Sequence, residues 1–383
     1  MADWLAKYHH EVRVVTAPPY YPSWKVFSKY SGRRWVKETL HHLTVFRCPL
    51  WVPSKPSGAK RLIHLASFAL SSFPVIAQQI FWRPDVILVV EPPLFCAPTA
   101  WLVARISGAK VWLHVQDYEV DAAFDLDLIK GATLKSFVLS CERFLMRRFD
   151  RVSTISKRML EKASQKAVKD SKLVHFPNWV EIHSLISREE SLRSEFNIPS
   201  DAFVALYSGN MGNKQGLEIL ADASGLLKNV PNLTFVFCGN GSGRDELVSR
   251  CSGLSNVIFL DLQPAEKLPR LLAMADVHLL PQRADAADLV MPSKLTGIFA
   301  SGRPVVATAK PGTEVANVVE GNGLVVTPED PDAFAGAIKR LMDDHDLREG
   351  LGQSAHRFAE QNLDRDVILK RFEADLLACI NER

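Results

Sequence analysis

The chain has 383 residues, enough for two or more domains, and a 47% hydrophobic share leaves ample core. Its 46 Lys and Arg against 43 Asp and Glu give a net charge of +3, which argues against nucleic acid as a partner. Six cysteines without a Cys-x-x-Cys pair exclude a zinc or disulfide framework and read as reduced, buried small hydrophobes.

Residues 1–15 lack the apolar stretch of a signal peptide. Val12–Thr16 reads as a strand ending in Ala17-Pro18-Pro19. Residues 20–61 read as a long basic and aromatic loop with short elements. Residues 1–61 hold eleven Lys and Arg against three acids, a local charge of +8. Such a stretch suits anionic lipid, an anionic substrate or a solvated surface. Leu62–Trp82 follows, 21 residues almost without charge. It is long enough to span a bilayer, but Pro74, His64, three serines and two glutamines weaken that reading. A buried crossover helix, a helix dipping into one leaflet and a true span all remain open.

Asp85–Val90 is an unbroken apolar strand of the doubly covered, parallel kind, and Ala97–Ser107 reads as its crossover helix. Strands fit Lys110–Val115, Arg151–Ser156 and Leu173–Phe176, with a helix over 133–149. After a charged linker near 184–198 the pattern restarts. Strands fit Ala202–Tyr207, Leu233–Cys238, Val257–Leu260, Val277–Pro281, Pro304–Ala307 and Gly323–Val326, with helices between, and 332–383 is helical. Twofold βαβ repetition predicts an α/β chain of two doubly wound, Rossmann-like domains facing across a cleft. The boundaries expected are 1–182, 183–355 and a terminal helix, 356–383, packing back toward the first domain.

Val204–Gly216 carries the first chemical signal. An apolar strand breaks at Ser208-Gly209-Asn210, a polar loop with Lys214 follows, and a helix begins after Gly216. Strand, glycine turn and helix N-terminus together suit an anion. An ordinary strand–helix turn has the same letters. A second glycine turn, Gly239-Asn240-Gly241, ends the next strand. Pro292-Ser293-Lys294 opens a helix with free N–H groups, a hydroxyl and an ammonium. Ala300-Ser301-Gly302-Arg303-Pro304 stops that helix and opens another strand.

Taken in order, these stretches resemble the C-terminal half of retaining GT-B glycosyltransferases of family 4. Nearly the whole chain is similar to the sub-group that builds bacterial exopolysaccharide, the colanic-acid-type, fucosyltransferase-like enzymes. Val14–Pro22, Glu91–Pro98, His114–Ala123, Ser208–Glu218 and Pro292–Val306 carry that narrower likeness. The resemblance implies a nucleotide-diphosphate sugar, GDP-fucose by sub-group, held at Ser208, Gly209, Asn210, Lys214, Gly239, Asn240, Gly241, Ser293 and Lys294. It implies His114 and Asp117 as catalytic residues, with His114 hydrogen-bonded to the donor sugar and Asp117 or Glu119 orienting the acceptor. Asp288 stands close enough to contact the sugar. It also implies a lipid-linked saccharide acceptor, an anionic membrane surface, a peripheral place on the cytoplasmic face, no metal and no further cofactor.

The chain departs from the family pattern in places. Asn210 and Gln215 stand where Arg and Lys are usual. Leu289 and Gly297 stand where two glutamates are usual. Trp179 replaces the glycine of a Pro-Asn-Gly-Val hinge. The family's first strand and glycine-rich loop have no counterpart before Met1-Ala2-Asp3. A soluble GT-B nucleotide-sugar 2-epimerase and a catalytically inactive nucleotide-sugar binder are the rival expectations.

Overall fold

A computed structural model describes the chain except residues 22, 55–57, 93, 119–131, 186–190, 213–214, 285–291 and 383, and the side chains of 58, 59, 132 and 134. It divides into two compact units, Met1–Phe176 with Leu369–Arg383, and Pro177–Ile368. Both are α/β, each with a parallel sheet, as two Rossmann-like domains require.

In the first unit a short helix, α1 (Ala2–Lys7), precedes β1 (Arg13–Thr16). Residues 20–61 hold more than the expected loop, because β2 (Val36–Leu40) and β3 (Leu43–Arg47) form a hairpin. β3 pairs in parallel with β1, giving a three-stranded sheet, β1-β3-β2. The long helix α2 (Gly58–Trp82) leads to β4 (Val86–Glu91), α3 (Ala97–Ser107) and β5 (Lys110–Val115). Then come α4 (Ala132–Arg148), β6 (Arg151–Thr154), α5 (Lys157–Gln165) and β7 (Leu173–His175). β4-β5-β6-β7 form a second, wholly parallel sheet. The strands thus lie in two sheets, not one.

Local chemistry explains the boundaries. Ser156 accepts the Met159 N–H and caps α5. Gly108, with φ +79°, ends α3 in the left-handed conformation, where a side chain costs most. β5 is buried from Val111 to Val115, as a central parallel strand must be. Phe176 stacks on Phe372 at 4.0 Å, and Trp112 meets Phe372 edge-on at 5.2 Å. That aromatic cluster fastens the terminal segment beneath β5.

Helix α2 breaks the usual rule for a helix in water. It buries His64, Ser72 and Gln79, whereas Ile63, Leu70 and Phe81 stand 57%, 77% and 89% exposed. By length and composition Lys60–Trp82 suffices to cross a membrane, and 17% of its most apolar window is buried. It is therefore not the core crossover helix that was one of the three expectations.

The second unit holds β8 (Phe203–Ser208), α6 (Glu218–Leu226), β9 (Leu233–Cys238), α7 (Arg244–Arg250) and β10 (Val257–Leu260). It continues through α8 (Leu268–Ala273), β11 (Val277–Leu280), α9 (Lys294–Ala300), β12 (Val305–Thr308), α10 (Glu314–Val319) and β13 (Gly323–Val326). Helices α11 (Pro331–Asp343), α12 (His345–Asn362) and α13 (Arg365–Asn381) close the chain. The sheet is parallel, in the order β10-β9-β8-β11-β12-β13. The order in which successive strands are added reverses between β8 and β11, and ligands of open α/β sheets sit at that switch point, outside the strand carboxyl ends.

The expected linker near 184–198 is partly woven into this unit. Leu192 is fully buried. The Arg193 guanidinium donates to the carbonyls of Met274, Ser200 and Ala202 and to Asp276, whose carboxylate also accepts the Val204 N–H. Of the cysteines, Cys141 is exposed, contrary to expectation, because it lies on the outer face of α4; the others are buried thiols.

Candidate functional site

The site in the second unit is built at the switch point. β8 ends at Ser208, and the loop after it lies alongside the loop after β9. Gly209 N–H donates to Cys238 O at 2.9 Å, Met211 N–H to Asn240 O at 2.9 Å, and Gly243 N–H to Met211 O at 2.8 Å. Among the described residues, the intervening Asn210 and Gly212 N–H groups have no backbone acceptor. The glycines here are steric necessities. A Cβ on Gly239 would lie 1.9 Å from Gly209 O, and one on Gly241 2.4 Å from Met211 O. Nothing larger than hydrogen permits the two loops to run this close.

Lys294, first residue of α9, reaches back to this pair of loops. Its Nζ lies 4.2 Å from the centroid of the Tyr207 ring, and a Cβ on Gly209 would sit 3.5 Å from it. The ammonium nitrogen is sealed from solvent and has no hydrogen-bond partner among the described residues. Burial lowers its pKa to about 8, because leaving water disfavours the charged form. Tyr207 is itself fixed, donating its hydroxyl to Asn210 O at 2.6 Å, and burial pushes its phenol upward. The arrangement is a cation against an aromatic face, beside two glycine turns at strand carboxyl ends. Among the described residues this cation has no anionic partner, and the arrangement suits an anionic group. Arg283, in the loop after β11, packs against Gly216 and lies 3.9 Å from Glu218.

The structure therefore brings together Ser208, Gly209, Asn210, Gly239, Asn240, Gly241 and Lys294. Ser293 is exposed and its hydroxyl makes no capping bond, so its contribution to the helix start is backbone alone. Lys214 and Asp288 lie outside the described residues. Tyr207 and Arg283 were not picked out from the sequence. Tyr207 reads there as one more apolar strand residue, and no local pattern marks it as the floor under a lysine.

A second group belongs to the first unit, at the carboxyl end of β5. His114 is buried, with Nδ1 2.9 Å from Ser153 Oγ on β6 and Nε2 2.7 Å from the Gln116 amide nitrogen. Trp112 Nε1–H donates to the same Ser153 hydroxyl at 2.8 Å. Burial lowers the His114 pKa to about 4, so the ring is neutral near pH 7. A Gln116 amide N–H donating to Nε2 makes Nδ1 the protonated nitrogen, which then donates to Ser153 Oγ. Both ring nitrogens are thus engaged by protein. Gln116 and Asp117 are the half-exposed groups of the cluster. Glu119 lies outside the described residues. Gln116 is the member that the sequence did not single out. The strand alternation places it on the same side as His114, two residues on.

Comparison with known proteins matches these two units to two models. Residues 1–179 match a glycosyl transferase 4-like domain and residues 188–358 match glycosyl transferases group 1. The chain is 42% identical over 388 residues to a protein named as the colanic acid biosynthesis glycosyl transferase WcaI of Escherichia coli (strain K12), covering 98% of this chain and 94% of that protein. It is 28% identical to the glycosyltransferase WbjE of Pseudomonas aeruginosa, over 78% of this chain and 76% of that one. Among solved structures, sucrose-phosphate synthase from Thermosynechococcus elongatus superposes with a TM-score of 0.74 at 18% identity, over 98% of this chain and 92% of that one. Anabaena HepE in complex with UDP superposes with 0.67 at 20% identity, over 88% and 86%. Identity and coverage of this order, over both units, place the chain in the glycosyl transferase group 1 family.

Proposed function

We propose that the protein transfers a hexose-type sugar, with retention, from a nucleotide-diphosphate donor to a lipid-linked oligosaccharide during exopolysaccharide assembly. The pathway reading rests on the likeness to WcaI, and the sub-group resemblance favours GDP-fucose as donor. The observation that carries the donor site is Lys294, a sealed cation without a hydrogen-bond partner among the described residues, set against Gly209 at the switch point. A diphosphate laid across the Gly209 and Gly239 turns meets that ammonium and the N–H groups of Asn210 and Gly212. No metal has a role in this reading; Lys294 and the loop N–H groups carry the charge.

In the step envisaged, the bond from the anomeric carbon to the diphosphate oxygen breaks. An acceptor hydroxyl bonds to that carbon from the same face, and its proton passes to the departing diphosphate. The enzyme's work is positioning and charge stabilisation. Lys294 holds the charge that grows on the leaving group. Gln116 and Asp117 orient hydroxyls at the end of β5, and neutral His114 fixes the Gln116 amide. The basic first stretch and the outward face of α2 support a peripheral place on the cytoplasmic side of the membrane.

Incubation with a panel of nucleotide sugars and a lipid-linked acceptor tests the reading, with product anomers read by NMR. Transfer with the donor's anomeric configuration supports it. Inversion removes the retaining mechanism. Consumption of donor without acceptor identifies an epimerase instead.

A further inference from the structure

The inverted face of α2 has a neighbour that the transfer chemistry does not use. Ile63, Leu70, Pro74 and Phe81 recur at steps of seven, four and seven residues, which is one stripe at 3.6 residues per turn. Ser67 and Ser71 occupy the adjoining strip of the helix, and they line a cavity of about 980 Å³. Its other walls include Trp24, Lys25, Arg33 and Trp51, and no acidic residue lines it among the described residues. The walls are fastened to the helix by hydrogen bonds. Trp51 N–H donates to Ser67 Oγ at 2.9 Å, Ser71 Oγ–H to Pro49 O, and Trp35 Nε1–H to Ser71 O at 2.9 Å.

The surroundings are one-signed. Residues 20–61 contain nine Lys and Arg and a single acid, Glu38, which is already bonded to Arg47 at 2.6 Å. Arg61 lies over the Trp24 ring at 5.6 Å. Indoles and long cationic side chains of this kind suit the boundary between hydrocarbon and headgroups. A protein partner would match the apolar stripe alone. The cations and indoles beside it match an amphiphile with an anionic head.

We propose that this cavity seats the phosphate headgroup of an anionic membrane lipid, with its acyl chains lying along the Ile63–Leu70–Phe81 stripe. Lys25 and Arg33 balance the phosphate, Trp24 and Trp51 flank the glycerol region, and α2 lies in the plane of the leaflet. The proposal rests on the membrane-facing part of the function above, not on donor chemistry.

The test is co-sedimentation of the full chain with vesicles of phosphatidylcholine alone or with phosphatidylglycerol, without donor. Wild type binds the anionic vesicles. Lys25→Ala with Arg33→Ala, both exposed loop residues, loses on the order of a hundredfold or more in affinity, about tenfold or more for each charge-assisted contact with the phosphate. Lys29→Ala with Arg34→Ala removes equal charge from outside the cavity walls and loses less, at most about thirtyfold, the diffuse attraction of two cations for an anionic surface. Equal losses in the two double variants would mean diffuse attraction and overturn the headgroup site. So would failure of wild type to bind either vesicle. Competition by glycerol 1-phosphate as effective as that by vesicles would assign the cavity to a soluble phosphate ester and overturn the lipid assignment. Nucleotide-induced thermal stabilisation, measured on the same variants, stays at the wild-type value, which separates failure here from failure of the donor site.

Discussion

Lys294 Nζ rests 4.2 Å above the Tyr207 ring, sealed from water and, among the described residues, without a hydrogen-bonding partner. A buried ammonium in that state costs stability unless an anion joins it. Lys294→Met keeps the length of the side chain and removes the charge. The variant should melt no lower than wild type without ligand, and should lose about 10- to 100-fold in nucleoside-diphosphate affinity, the usual worth of one charge-assisted hydrogen bond. Thermal melting and calorimetry read the two effects separately.

The same lysine sets a pH dependence. Its pKa lies at about 8 in the free protein, down from 10.5, because burial disfavours the charge. A bound diphosphate raises it again. Binding therefore takes up a proton above pH 8, and affinity should be flat below that value and fall as pH rises beyond it. Calorimetry in buffers of different ionisation enthalpy measures the uptake. Lys294→Met should abolish it.

Gly239→Ala places a methyl group 1.9 Å from Gly209 O. The two loops must part, at a cost on the order of 1–3 kcal/mol for a strained backbone position. A lower melting temperature together with weaker nucleotide binding is the expected result. Gly253→Ala is the control. Its φ is also positive, at +82°, but a Cβ there meets nothing within 4 Å, so it should be strained without disturbing nucleotide binding.

Gln116 and His114 should separate by kinetics. Gln116→Ala removes a half-exposed amide and should lower kcat with little change in donor affinity. His114→Ala should lower kcat as well, and also destabilise by about 1–3 kcal/mol, because Ser153 loses a buried partner. Folding carries its own signature. The unfolded imidazole gains a proton near pH 6.5, the buried one only near 4, so stability falls as pH drops through that window. His114→Ala should flatten that part of the profile.

How much of this was legible in the sequence follows from where the side chains lie. Leu233–Cys238 and Lys110–Val115 read as strands because parallel strands covered on both faces are apolar throughout. β2 did not, because most of Val36–Leu40 is exposed and Lys37-Glu38-Thr39 resembles loop. The glycine turns were legible, since close backbone approach leaves glycine behind. The role of Lys294 was half legible. Its residue type and helix start could be seen, but its burial depends on Tyr207, on a strand far away in sequence. The Arg193 anchor was hidden for the same reason, inside a stretch that reads as a charged linker. Arg193→Ala should unfold the second unit more easily, by about 1–3 kcal/mol, since it strips a partly buried carboxylate and several carbonyls of their donor. Urea denaturation checks that value.

The most direct test of the donor site is a thermal-shift screen of GDP, UDP, ADP and TDP and their sugars against wild type and Lys294→Met. One nucleotide family should stabilise wild type in a concentration-dependent way, and its effect should largely vanish in the variant. Stabilisation of the two proteins to the same extent, or no response of wild type to any nucleotide, would contradict the account.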